Sequence, residues 1–413
     1  MELNMENVFT REYPYASEEY LNVNHVPGTK LDPKILEYVR YVLSREGQED
    51  VARDGKFIPL TAQGVREGLA ALEAEPKRTP KASRSKDTKA HYSNRFELSG
   101  IPAYTPKQQV SGLIRVWGFN QLADGNLAQN WEKGFRKYHP KATFEWTLPS
   151  QYAASTGMIT GKADVGAGAY WRFSEYLAYQ RLFNADALPI AMATGSYDRT
   201  GWANALGVFV HKDNPINGLT LAQLDGIFGA PRSGGWVGTA WYPEFARGPE
   251  GNIRTWGQLG LTGEWANQPI IAFGPDLRSE SSIAFSDNVI KGSDKWNERL
   301  RYFTHEAFRH SRYGIAFGSK QEAGPEAKCV ALAVKTGSHY VPFTIENVQN
   351  RSYPLIQTTY WFVGRKPGES IDPKLKEFLT YALSREGQQA IVDDGKFLPL
   401  TDTMVYEALK TLQ

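Results

Sequence analysis

The chain has 413 residues, a formal net charge of +2 and one cysteine, Cys329. Acidic and basic residues mix along most of its length, which argues against a nucleic-acid or anionic-membrane binder. A single thiol excludes a disulfide framework within the chain, and no stretch is apolar for long enough to span a bilayer.

In chain order, the first feature is a repeat. The segment beginning at Glu6 and ending at Leu72 returns without a gap as Glu346 to Leu412, with about half of the aligned positions identical. Both copies carry Asp-Pro-Lys (from Asp32 and Asp372), Ser-Arg-Glu-Gly-Gln (from Ser44 and Ser384) and Asp-Gly-Lys-Phe-x-Pro-Leu-Thr (from Asp54 and Asp394). The second copy closes a long globular sequence and the first has little before it. Residues 1–72 are therefore expected to be a partial duplicate of the C-terminal segment, the tail of a domain whose body is missing. Residues 13–23 predict a strand, as residues 353–363 do, but lack strands to pair with. Such an unpaired apolar edge points to weak order or to self-association through this repeat. Residues 73–107, with a basic run from Lys77 to Lys89, read as a solvated linker.

The main body, 108–413, opens with a strand at Leu113-Ile-Arg-Val-Trp117, a glycine-containing loop, and a helix carrying Leu127, Trp131, Phe135 and Tyr138. Residues 143–148 predict a second strand, residues 149–156 the entry to a short helix, and residues 163–167 a third strand. Alternating strands and helices argue for parallel sheets covered on both faces. Residues 205–211 form an apolar strand, and Thr220 with Gln223 has the pattern of a capping box. Residues 276–282 are a hydroxyl-rich entrance to a helix containing Ile283, Val289 and Ile290. Cys329, in the apolar run 329–334, reads as a buried core thiol. Asp372-Pro373 caps a helix with Leu375, Phe378, Leu379 and Leu383 on one face.

Several stretches in this order resemble the phosphate-specific class of periplasmic solute-binding proteins, the substrate-binding components of ABC transporters. They are Gly161-Lys-Ala-Asp-Val-Gly166, His211-Lys-Asp-Asn-Pro215 followed by Leu219-Thr-Leu-x-Gln-Leu-x-x-Ile-Phe228, Trp256-x-x-Leu-Gly-Leu261, Gly314-Ile-Ala-Phe-Gly318, and the tail from Tyr353-Pro354 to Pro399-Leu400. The resemblance implies an α/β, two-lobed, type II periplasmic-binding-protein-like fold. Lobe one would comprise 110–210 and 355–413, and lobe two 211–354, joined by crossing strands that flex near Val208 and Thr359.

The resemblance also places ligand contacts on three loops, at Asn120 and Gln121, at Ser150 and Gln151, and at Arg278, Ser279 and Ser281, with Tyr170 nearby. Helix N-termini, hydroxyls and an arginine hold a tetrahedral oxyanion in that class. The third loop departs from the family pattern Arg-x-x-x-Ser-Gly-Thr, because Pro275 stands in the arginine position, Glu280 in the glycine position and Ser281 for threonine. In the second loop Pro149 stands for a glycine. Arg172 and Arg278 could supply charge from shifted positions, and Tyr152, Tyr170 and Trp171 could form either an aromatic wall for an organic ligand or core packing. Asp198-Arg199 lies in a loop before a crossing strand.

No glycine-rich phosphate loop, nucleophile elbow or paired-cysteine spacing occurs, so no catalysis and no cofactor are expected. Glu306 and His310 are four apart and would share a helix face, most simply a solvated one. Two readings remain open: a solute-binding protein with an altered, degenerate oxyanion site for a small anion or small organic solute, or an interaction module that has lost ligand binding. The resemblance implies a periplasmic or extracellular location and an ABC-transporter membrane component as partner, with no nucleic acid. Met1 is followed by Glu-Leu-Asn, so no export signal is expected in this sequence.

Overall fold

The computed structural model describes residues 2–76, 92, 95–364 and 369–413. The chain divides into two compact units, Met1–Arg84 and Ser85–Gln413. The basic run from Lys77 to Lys89 lies outside the described residues.

The first unit contains helices α1 (Met5–Phe9), α2 (Pro33–Val42), α3 (Arg45–Asp54) and α4 (Ala62–Glu73), and no strand among the described residues. Residues 13–23, expected as a strand, are irregular and mostly exposed. A strand needs a neighbour to take its backbone donors and acceptors, and the first unit supplies none. The helix signals nevertheless work locally. Asp32 accepts from Lys34 N, Ser44 from Gly47 N and Thr61 from Gly64 N, and Gly55 ends α3 with φ 70°.

In the second unit, one sheet contains β1 (Gly112–Gly118), β2 (Ala142–Thr147), β3 (Val165–Gly168), β4 (Leu188–Thr194) and β14 (Thr358–Val363), in the order β2-β1-β3-β14-β4. The other contains β5 (Gly207–His211), β9 (Ile271–Gly274), β10 (Arg301–Tyr302), β11 (Gly314–Gly318) and β12 (Ala327–Cys329), in the order β10-β9-β11-β5-β12. Short strands β6 (Gly218–Thr220) and β13 (Ala331–Ala333) pair with each other, and β7 (Gly235–Val237) with β8 (Ala240–Tyr242) forms a hairpin arm.

The sheets are mixed, not parallel throughout. In each, one strand runs against the others: β14 is antiparallel to β3 and β4, and β5 is antiparallel to β11 and β12. Both are the first strand after the chain changes lobe. A chain arriving from the other lobe enters at the cleft end, where the parallel strands finish, and so must run the opposite way. The crossings are residues 195–206 and 355–357, tied together by Gly195 N to Gln357 O (2.8 Å) and Leu206 N to Leu355 O (2.8 Å). Lobe two thus takes β5 with it: Val208 sits inside the lobe-two sheet and Thr359 inside the lobe-one sheet, on either side of the crossings.

Lobe one is covered by α6 (Leu127–Phe135), α7 (Ala153–Ile159), α8 (Phe173–Phe183), α13 (Pro373–Leu383), α14 (Arg385–Asp394) and α15 (Asp402–Thr411). Leu127, Trp131 and Phe135 fall on one helical face and are fully buried, against Trp361, Phe378 and Tyr381. Gly387, the glycine of the second Ser-Arg-Glu-Gly-Gln, cannot carry a side chain because a Cβ would strike the Tyr381 and Ala382 carbonyls, and Gly47 repeats this against Tyr41 and Val42. Lobe two packs around α9 (Leu221–Phe228), whose capping box of Thr220 and Gln223 is formed, and α10 (Glu280–Asn288).

Two further expectations change. Residues 95–107, read as the end of a linker, pack onto lobe one through buried Leu98, Ile101 and Tyr104, an apolar stripe at a spacing of three. Cys329 is exposed instead of buried, because it closes β12, the edge strand of its sheet.

Candidate functional site

Loops leaving the C-terminal ends of β1, β2, β3 and β9 are drawn together at the mouth of the two sheets, the usual place for a ligand in open α/β sheets. The first loop enters α5 (Gln121–Asp124), and Asn120 Nδ2 donates to Asp124 Oδ2 at 2.5 Å, which commits the asparagine to its own turn. Gln121 is buried. Its Nε2 donates to Gly201 O at 2.5 Å, tying the loop to the first crossing, while its Oε1 has no hydrogen-bond partner.

In the second loop Ser150 is half-buried and its carbonyl accepts from Ala153 N at 3.0 Å. Gln151, 6% exposed, accepts from Ala169 N through Oε1 at 3.3 Å, and its buried Nε2 is left without a partner. The three aromatic residues of this region separate into different roles. Trp171 is core, stacked on Phe362 at 4.7 Å, and Tyr152 is exposed beneath the Arg172 guanidinium at 4.8 Å. Only Tyr170 turns a buried hydroxyl to the cleft, and that hydroxyl has no hydrogen-bond partner. Burial, and then the negative charge of Glu280, push the Tyr170 phenol well above its ordinary pKa. Gln151 lies close enough to oppose that shift slightly, yet the two side chains do not meet in hydrogen-bonding geometry.

Tyr170 belongs to lobe one and Glu280 to lobe two, so the charge of one lobe reaches the phenol of the other across the cleft. The lobes meet where the hairpin arm reaches over: Trp236 lies edge-on to Phe173 at 5.2 Å, and Thr239 is 3.4 Å from Gln180.

The third loop pairs its arginine with its own aspartate. Asp276 accepts from the Arg278 backbone N–H (2.8 Å) and from its side-chain Nε and Nη2 (3.1 and 2.9 Å), leaving the Arg278 side chain 89% exposed. The Arg278 side chain, and then its backbone N–H, lower the Asp276 pKa to about 2. Ser279 caps α10 by accepting from Ser282 N at 3.2 Å, and Ser281 is half-buried. Ser282, absent from the expected contacts, has a fully buried hydroxyl without a partner. It is the last member of the hydroxyl-rich run 279–282, the signal that could have found it.

The Asp198-Arg199 loop is engaged by Tyr92, whose hydroxyl donates to Asp198 Oδ1 at 2.6 Å and lies 2.9 Å from Ser196 Oγ. Glu306 and His310 do pair, at 2.9 Å, but on an exposed face of α11 (His305–Arg309) and just beyond it. No group of three His, Cys, Asp or Glu residues suited to a metal occurs among the described residues, and none of their helices is long and apolar enough to cross a membrane.

Comparison with known proteins agrees with this architecture. Residues 118–386 match the model of the PBP superfamily domain. The phosphate-binding protein PstS of Pseudomonas aeruginosa is 30% identical over 319 residues, covering 76% of this chain and 90% of that protein. Among solved structures, PstS of Borrelia burgdorferi (12% identity, TM-score 0.48) and an ABC-type phosphate transport receptor of Vibrio cholerae (16% identity, TM-score 0.45) each cover 70% of this chain, and 100% and 99% of their own. With a family match across most of the body and a relative at 30% identity along nearly its whole length, the chain belongs to the PBP superfamily, in its phosphate-binding-protein class of solute-binding components of ABC transporters.

Proposed function

We propose that the cleft takes a small, hydrogen-bonding solute in place of free phosphate, and that the protein delivers it to an ABC-transporter membrane component outside the cytoplasm, as membership of this class implies. The carrying observation is the set of buried polar atoms without partners: Gln121 Oε1, Gln151 Nε2, Tyr170 Oη and Ser282 Oγ. All four lie on the cleft loops or in the first turn of the helices these loops enter, and buried polar groups are normally satisfied. Together they offer donors and acceptors without formal charge.

A phosphate dianion would need more. The arginine of the third loop is paired with Asp276 and left exposed to solvent, and Glu280 places a carboxylate in the first turn of α10, where helix-end N–H groups would otherwise favour an anion. A second reading, an interaction module without a ligand, is favoured by the lobes already meeting through the hairpin arm, at Trp236 with Phe173 and Thr239 with Gln180.

Titration calorimetry tests both. Inorganic phosphate should give no heat at micromolar concentration, and Pro275→Arg combined with Glu280→Gly should introduce measurable phosphate binding. Micromolar phosphate binding by the natural sequence would overturn the proposal. A panel of neutral polar solutes separates the two readings: binding that contracts the particle in small-angle scattering supports the first, and silence across the panel the second.

A further inference from the structure

Lobe two carries another concavity, of about 440 Å³, to which no cleft-loop residue contributes. It lies beside edge strand β10, against β9, the end of α11 and the turn 311–313 that enters β11. Its volume is within the range of small-molecule sites.

The lining combines an apolar floor with unspent polar groups. Ile271 and Phe273 project from the same sheet face as Arg301, the partner of Phe273 on the neighbouring strand, and Tyr313 adds a second ring. Arg301 is exposed on β10 and enters no ion pair among the described residues. Arg312 is paired with Glu264 at 2.8 Å and lies over the Trp265 ring at 5.2 Å. Ser311 is only 9% exposed, yet its hydroxyl has no hydrogen-bond partner. An unpaired guanidinium, a second one at the rim and a buried unsatisfied hydroxyl suit a carboxylate, whose two oxygens accept charge-assisted hydrogen bonds. Inorganic phosphate would leave the aromatic floor unused.

We propose that this pocket binds a small organic carboxylate carrying an aromatic or aliphatic body. Arg301 and Ser311 take the carboxylate, Arg312 adds charge, and Ile271 with Phe273 and Tyr313 takes the body. The site is separate from the cleft and does not depend on which solute the cleft accepts.

Titrating the full chain with phenylacetate tests this, read by the indole N–H resonance of Trp265, which adjoins Arg312 and is assigned with Trp265→Phe. Phenylacetate should give a saturable shift and the uncharged analogue 2-phenylethanol none. Arg301→Gln should weaken the response about tenfold, the scale of a lost charge-assisted contact, and Ser311→Ala should weaken it several-fold. Gln151→Ala, in the cleft, should leave it unchanged. No saturable shift up to the solubility of phenylacetate, an equal response to 2-phenylethanol, an unaltered response in both Arg301→Gln and Ser311→Ala, or loss of the response in Gln151→Ala would each overturn the proposal. Arg301 is exposed, so its replacement tests binding without disturbing the core.

Discussion

His139 is fully buried, and its neighbours dictate its protonation state. The Val110 N–H donates to Nδ1 at 3.3 Å, so Nδ1 must accept. Nε2 then carries the hydrogen and donates to Tyr104 Oη at 2.7 Å, while Tyr104 passes its own hydrogen to Glu377 at 2.7 Å. A second ring proton would face a backbone donor. Burial holds the His139 pKa below its ordinary value, with the Glu377 charge opposing in smaller measure. As pH falls below the unfolded value of about 6.5, the unfolded chain takes a proton that the folded one refuses. This contribution to stability is complete above that value and is lost progressively as pH falls to the depressed folded value. Urea midpoints should drop between neutral and mildly acidic pH, and His139→Gln should flatten the drop. An equally steep profile in that variant would assign it to other groups. Side-chain type alone indicated neither this network nor the fate of Arg278: a charged residue at a helix entrance can serve a ligand or its own neighbour, and Asp276, two residues before it, decided.

The hairpin arm of β7 and β8 shows what an element requires at its base. Arg232 donates to both oxygens of Asp225 (2.6 and 2.7 Å) and to Phe245 O (2.9 Å), and Arg247 Nε lies 3.2 Å from the same carboxylate. The Arg232 side chain is almost wholly buried, so Asp225→Ala strands it and should cost about 3–5 kcal/mol. Asp276→Ala, which removes a similarly two-pronged but longer and exposed pair, should leave thermal unfolding unchanged. Equal losses from the two substitutions would refute the assignment. Elements whose signals are local were legible in the sequence. Thr220 with Gln223 marked α9 and Asp372-Pro373 marked α13, because caps and periodicity act within a few residues. The direction of β5 and β14 was not, since a strand's sense depends on which lobe the chain has just left. Of the site, the loops were legible and Ser282 was missed, because the hydroxyl-rich run contains it without marking which of its hydroxyls the packing of the helix buries.

At the scale of the molecule, the two copies show how far local rules carry a fold. Gln48 bridges Val42 O (2.8 Å) and Leu60 N (2.6 Å), and Gln388 bridges Ala382 O (3.0 Å) and Leu400 N (2.8 Å). The caps match as well. The surroundings do not: Phe57 is 58% exposed and its counterpart Phe397 fully buried, and Tyr38 and Ile58 are exposed where Phe378 and Leu398 are core. Most helical stability in proteins comes from packing an apolar face, not from caps. Amide hydrogen exchange should therefore be fast across residues 33–73 and slow across residues 373–411 of the same molecules. Equal protection in a monomeric sample would show that the first copy is stable by itself.

The double crossing between lobes has a consequence for synthesis. Lobe two is built almost wholly from one continuous stretch and can close, but for the late-arriving Leu398, once residue 355 or so has emerged from the ribosome. Lobe one cannot, because β14, between β3 and β4 in its sheet, and α13 to α15 against it are translated last. Until then β3 and β4 present bare edges, the state in which nascent chains aggregate. The earliest-made half of the body is thus the last to finish folding, and any ribosome pause after lobe two lengthens the time for which those edges must be shielded.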